Sequence, residues 1–182
     1  QRNIHHFHFV RLMRNKIINR KIKRLQAQPR IKALKEFKDV KRIAMLFDAA
    51  DYEQALAFKA TLEAMGKVVR CWTFAEVESP DWIYTPQFRF LTRHHLNFCR
   101  LPKAYIVDDF KGFPADMLMN LSQSGQEQLE YLAMHSPSDY RVSFNSENAK
   151  HYDFVLALAA EQKCFQENAE SLLFYLKNLR LK

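Results

Sequence analysis

The chain has 182 residues, 48% of them hydrophobic and 26% charged, a balance that excludes a wholly disordered protein. Its net charge is +8, but residues 1–42 hold 14 Lys or Arg against two acids, which leaves the rest of the chain at −4. The three glycines and three widely spaced cysteines count against a glycine-rich nucleotide loop and against a disulfide framework.

Residues 8–28 are predicted to form one long basic helix. Apolar residues recur at helical spacing through this segment: Val10, Met13, Ile17, Ile18, Ile22 and Leu25. Pro29 ends the helix, because proline pushes the residue before it out of the helical region. Residues 1–40 are therefore predicted to be a basic helical arm, and residues 41–182 a single domain that folds without it. The arm residues expected to contact an anionic partner are Arg14, Lys16, Arg20, Lys21, Lys23 and Arg24.

The body is predicted to alternate strands and helices. Short apolar runs predict strands at 43–47, 68–72, 104–107, 116–121, 141–144 and 154–159, with one more near 96–100. Helical stripes predict helices at 51–65, 125–135 and 162–180. Asp48 or Asp51 is expected to cap the first of these helices, and Gly66 to end it in the left-handed conformation.

Residues 75–102 are predicted to be a long connection, because they contain Pro80, Pro86 and Pro102. Their aromatic side chains suit a hydrophobic lid on the sheet edge, and the arginines between them leave a base-stacking surface open as the alternative. The strands of the body are nearly continuous apolar runs, which indicates burial on both faces. The expected fold is a Rossmann-like three-layer α/β sandwich around a mostly parallel sheet of five or six strands, preceded by the long basic helix.

Four segments, in this order, resemble an uncharacterised family of small proteins from the Bacteroidota. They are residues 47–49 (FDA), 116–121 (DMLMNL), 129–133 (LEYLA) and 151–156 (HYDFVL). The resemblance covers most of 40–180 and implies a single α/β domain, with no assigned activity to carry over. Residues 116–142 are also similar in pattern to the N-terminal half of heptosyltransferase-like glycosyltransferases, which implies a shared fold.

Polar residues follow the predicted strands, where ligands bind in open α/β sheets. This ligand rim, able to hydrogen-bond sugar or amide groups, comprises Asp48, Ser122, Gln123, Ser124, Asn145, Ser146 and Asn148. No nucleotide cofactor is expected, because the turn at 48–51 (DAAD) has no glycine. No metal is expected either, since His94, His95 and Cys99 lack a second ligand pair. No catalytic residue is assigned, because nothing brings Cys164 and His151 together as nucleophile and base.

Two functions remain open. The first is a non-enzymatic binding or adaptor module whose basic helix docks to RNA, to a ribonucleoprotein or to an anionic membrane surface. The apolar stripe of that helix would otherwise pack on the body or on a second copy of the chain. The alternative is a small-molecule-binding or glycosyltransferase-like domain that uses the ligand rim. Enzymatic activity is the less favoured, because the chain has room for one domain only. A cytoplasmic location is expected, with peripheral attachment to the inner membrane if a membrane is the partner.

Overall fold

The computed structural model of the chain describes residues 16–18, 20–25, 35–77, 79, 82, 85–144, 149–157 and 164–180. Residues 16–18 and 20–25 are helical, and this segment is called α1. The strands are β1 Arg42–Asp48, β2 Val68–Phe74, β3 Phe88–Leu91, β4 Met117–Asn120, β5 Tyr140–Ser143 and β6 Phe154–Val155. The remaining helices are α2 Tyr52–Ala64, α3 Ala104–Lys111, α4 Glu127–His135 and α5 Phe165–Asn178.

The six strands form one parallel sheet in the order β3-β2-β1-β4-β5-β6. The chain builds outward from β1 to β3 on one side, then crosses back and builds from β4 to β6 on the other. The strand order therefore reverses between β1 and β4. This is the doubly wound arrangement, in which ligands bind at the point of reversal. The prediction of a mostly parallel sheet is confirmed.

Helices cover both faces of the sheet, so the predicted three layers are confirmed. Along β1, Ile43, Met45 and Phe47 belong to the core under α2 and α5, whereas Ala44 and Leu46 belong to the core under α3 and α4. All residues from Ile43 to Asp48 are buried, which is why this strand is a continuous apolar run. Gly66 follows α2 with φ +78°, the left-handed conformation expected of it.

Two of the predicted strands are wrong. Residues 104–107 form the first turn of α3 rather than a strand. The buried residues of this helix are Val107 and Phe110, which are three positions apart. The strand expected near 96–100 is instead β3, which lies earlier in the supposed connection and buries Phe88 and Phe90 on the same side. Residues 96–102 form a turn that a bridge between Leu96 and Pro102 closes at its base.

The N-terminal segment packs on the body. Ile18 is fully buried against Cys99 and Leu101, while Ile22 and Leu25 pack on the core under α3 and α4. The outer parts of the expected helix, 8–15 and 26–28, lie outside the described residues. Among the described residues, no helix has the length and apolar content needed to cross a bilayer.

The residues just before β1 also contact the body. Phe37 and Val40 are part of the core under α2 and α5. The Lys35 ammonium donates to the Asp116 carboxylate at 2.9 Å. Burial alone would raise the pKa of Asp116, but this hydrogen bond, together with those from the backbone N–H groups of residues 42 and 41, lowers it to about 2. A domain boundary between residues 40 and 41 stays a prediction.

Candidate functional site

Asp48 ends β1 beside the reversal of strand order, and its carboxylate holds the loop that follows β4. Its Oδ1 accepts hydrogen bonds from the hydroxyls of Ser122 and Ser124, both at 2.6 Å. Its Oδ2 accepts from the backbone N–H groups of Gln123 at 2.8 Å and Ser124 at 2.9 Å. Four donors from one loop therefore converge on one carboxylate that is only 8% exposed.

The predicted capping role of Asp48 and Asp51 is wrong. Within the described residues, neither side chain forms a capping hydrogen bond at the start of the following helical turns. Asp48 is instead turned across the sheet toward the loop after β4. Burial, and then the charge of Asp48, raise the pKa of the Asp51 carboxyl. Asp51 is therefore an acid that lies beside a second acid at the carboxyl ends of the strands.

A cavity of about 580 Å³ lies at this edge of the sheet. Its lining residues are Asp48, Asp51, Gln54, Gln123, Ser124, Cys164 and Phe165. Three predicted rim residues, Asp48, Gln123 and Ser124, are brought together here, while Ser122 is buried beneath them. Asn145, Ser146 and Asn148 lie outside the described residues. Beside the already paired Asp48, the lining offers the Asp51 carboxylate and the Gln54 and Gln123 amides, which suit a ligand rich in hydroxyl or amino groups and would repel a phosphate.

Two parts of this lining were not predicted from the sequence. Asp51 immediately precedes α2 and Gln54 lies in its first turn, three residues later, a spacing that brings two side chains to the same side of a helix end. That spacing could have predicted from the sequence that the two side chains lie close together. Cys164 comes from the far end of the chain, at the start of α5, and no pattern in the sequence places it here. His151, which the sequence did not place beside Cys164, does not line the cavity.

A buried cluster of polar side chains connects the end of β4 to α4. The Asn120 amide donates to the Tyr152 hydroxyl at 2.7 Å and to Glu130 Oε2 at 3.3 Å, and that hydroxyl donates to the same oxygen at 2.9 Å. Burial raises the pKa of Glu130, against the opposing effects of the Tyr152 hydroxyl and of the charge on Arg141. The cluster also holds the start of the loop after β4, because the Ser122 N–H donates to the Asn120 side chain.

The outer face of α1 is basic. The exposed side chains, called the basic face, are Lys16, Arg20, Lys21, Lys23 and Arg24. Within the described chain, none of these five forms an ion pair with an acid. The predicted Arg14 lies outside the described residues. Packing of Ile18, Ile22 and Leu25 on the body is what turns the five charges toward solvent.

A tight turn lies against α1. Its scaffold is Asn97, whose side-chain oxygen accepts from the N–H groups of Cys99 at 2.9 Å and Leu101 at 3.2 Å. The backbone of Asn97 exchanges further hydrogen bonds with Arg100 and Leu101. Phe98 stands at the tip of this turn and is 90% exposed.

The other aromatic side chains of the 75–102 region behave differently. Phe88 and Phe90 are buried as part of the edge strand β3 rather than of a lid over it, and Trp82 stacks on Phe90 with ring centroids 4.6 Å apart. His95 uses Nδ1 to accept from the Thr92 N–H at 2.9 Å. Among the described residues, no three His, Cys, Asp or Glu side chains come together as a potential metal site.

The model of a Family of unknown function (DUF6913) matches residues 14–179. Because this match spans most of the chain, the chain belongs to that family, and the resemblance to an uncharacterised family is confirmed. No curated protein and no solved structure matches the chain. The bacterial source and the similarity to heptosyltransferases are not addressed by the family match and stay predictions.

Proposed function

We propose that the chain is a nucleic-acid-binding module whose basic face contacts the phosphates of RNA. The observation that carries this proposal is the orientation of α1. Its apolar side is buried on the body, so Lys16, Arg20, Lys21, Lys23 and Arg24 form one exposed, positively charged surface. Clustered Lys and Arg on one helix face are the electrostatic footprint of a nucleic-acid contact.

An anionic membrane is the weaker candidate on the same surface. A helix that lies in a membrane interface buries its apolar side among the lipids. In this chain Ile18, Ile22 and Leu25 already contact protein, and Ile17, at 39% exposure, is the one described member of the stripe left at the surface. A membrane would be held by charge alone, at about 1 kcal/mol for each Lys or Arg near the surface.

The size of the effect follows from the number of charges. If each residue of the basic face neutralises one phosphate of a single strand, the log–log dependence of affinity on salt has a slope of about −3.5. Binding at 200 mM salt is then roughly a hundredfold weaker than at 50 mM. Replacing Arg20, Lys21, Lys23 and Arg24 by Gln should flatten the slope by about 2.8.

The test is fluorescence anisotropy of a labelled RNA oligonucleotide with the full chain at several salt concentrations. A matched control removes the same number of charges from exposed positions outside α1: Lys38, Lys150, Lys177 and Arg180. Equal losses in the control and in the basic-face variant would show that only net charge matters, which overturns the proposal. Flotation of the wild-type chain with anionic vesicles, without RNA binding, would assign the surface to a membrane instead.

A second candidate function has its own observation. The cavity beside Asp48 lies where the strand order reverses, the usual ligand position in doubly wound sheets. Its acid and amide lining suits a small polyhydroxylated or amine-bearing molecule. Thermal shifts with such compounds, compared between the wild type and Gln54→Ala, test this candidate. A shift that is the same in both proteins would place the ligand elsewhere.

A further inference from the structure

We infer that the RNA bound by this surface is single-stranded, and that Phe98 stacks on one of its unpaired bases. The inference rests on the proposed function, because the basic face supplies the phosphate contacts. It adds a substrate class and a residue that charge alone does not indicate. The observation behind it is an almost fully exposed phenyl ring, 90% accessible, on a turn that packs against the basic helix.

The turn holds this ring in a fixed place. Asn97 accepts two backbone N–H groups through its side chain, and the bridge between Leu96 and Pro102 closes the turn at its base. Arg100 takes φ 61°, a conformation that ordinary residues adopt where surrounding structure enforces it. An aromatic ring on a preorganised turn loses little conformational freedom when a flat partner stacks on it.

The turn that carries the ring also packs against α1, the helix that carries the basic face. Cys99 directly follows Phe98 in the chain. Cys99 and Leu101 are both buried against Ile18 of α1. Consecutive Cα atoms are about 3.8 Å apart, so the backbone of Phe98 lies directly beside the α1 contact. Exposed cations flank the turn as well, at Arg93 before it and Lys103 after it. One short stretch of nucleic acid can therefore reach both features.

Stacking on an isolated aromatic ring distinguishes single-stranded from duplex RNA. In a duplex the bases are already stacked and paired, and the ring would find no free face. In a single strand an unpaired base offers its face, and removing such an aromatic platform weakens binding about tenfold or more. The phosphate contacts are unaffected by that change, so the salt dependence should be unaltered.

The experiment compares Phe98→Ala, Phe98→Tyr and wild type, using labelled single-stranded oligouridine and a duplex RNA of equal length. Phe174→Ala is the matched control, because Phe174 is also a largely exposed aromatic (63%) but lies on α5, across the sheet from the α3–α4 layer. We expect Phe98→Ala to bind the single strand about tenfold more weakly than the wild type and to bind the duplex with unchanged affinity. Phe98→Tyr should bind both RNAs as the wild type does.

The outcomes separate this inference from the proposed function. If Phe98→Ala equals wild type on both RNAs while the basic-face variant still loses binding, the stacking role is wrong and the docking proposal stands. If Phe98→Ala weakens both RNAs equally, or the control weakens the single strand as much, stacking on Phe98 is also overturned. If the wild-type chain binds neither RNA at low salt, both proposals fall together.

Discussion

Removing the Asp48 carboxylate should destabilise the fold through the loop after β4. In Asp48→Ala, four hydrogen-bond donors lose their acceptor at once. The hydroxyls of Ser122 and Ser124 lie 3.4 Å apart and can turn toward each other or toward water. The backbone N–H groups of Gln123 and Ser124 have fixed directions and can recover a partner only from solvent.

The magnitude follows from those donors. Leaving a buried donor without an acceptor costs about 1–3 kcal/mol, and water reaches part of this loop. A loss of about 2–3 kcal/mol is therefore expected for Asp48→Ala. Asp48→Asn keeps one oxygen for the two N–H groups, and its NH2 can donate to hydroxyls that rotate. It should cost about 1 kcal/mol, chiefly the charge-assisted part of the bonds.

Urea unfolding at neutral pH measures these costs, provided that the m-value stays constant across the variants. Asp51→Asn is the matched control. Burial and the neighbouring Asp48 raise the pKa of Asp51, so its ionised form opposes folding and its loss should be neutral or mildly stabilising. The reasoning is refuted if Asp48→Asn is as destabilising as Asp48→Ala, or if Asp51→Asn costs as much as either.

Three further outcomes are expected. The pKa of Asp116 lies at about 2, so its stabilisation of about 2 kcal/mol should be present above about pH 4 and lost as the pH falls toward 2. Urea midpoints of Asp116→Asn and wild type should therefore converge on acidification. Burial raises the pKa of Glu130, so the wild type should lose stability as the pH rises through that pKa, and Glu130→Gln should not. A chain that begins at residue 35 should melt cooperatively, and one that begins at 41 should melt lower, because it loses the buried ring of Phe37, worth about 2 kcal/mol. Equal melting temperatures would contradict this last expectation.

The sheet was predictable where strands are buried on both faces. Residues 43–47 and 117–119 are apolar throughout because helices cover them on either side. The strand Phe88–Leu91 was missed because its second residue is an arginine, partly exposed and bonded to Asp109 at 3.1 Å. The run AYIV at 104–107 fits a strand and a helical turn equally well. Only the position of Phe110 on the same buried side, visible in three dimensions, decides for the helix.

The candidate site was predictable only in part. The rule that ligands lie beyond the carboxyl ends of parallel strands located Asp48, Gln123 and Ser124 without any structure. It did not reveal that Asp48 binds the loop, because those contacts join residues 74 to 76 positions apart. The exposure of Phe98 was equally hidden, since it depends on which neighbours of that ring are buried under α1.

The packing of α1 bears on how a polyanion would approach the molecule. The sequence left the apolar stripe free to serve a membrane, a second copy or the body, and Ile18, Ile22 and Leu25 are used by the body. The cavity at the sheet edge is lined by Asp48 and Asp51, and two adjacent acids repel phosphate. Under the proposed function, a polyanion would therefore be attracted to the helix and repelled from the cavity. The two surfaces are suited to ligands of opposite character, so a small cationic or hydroxylated molecule and a strand of RNA need not compete.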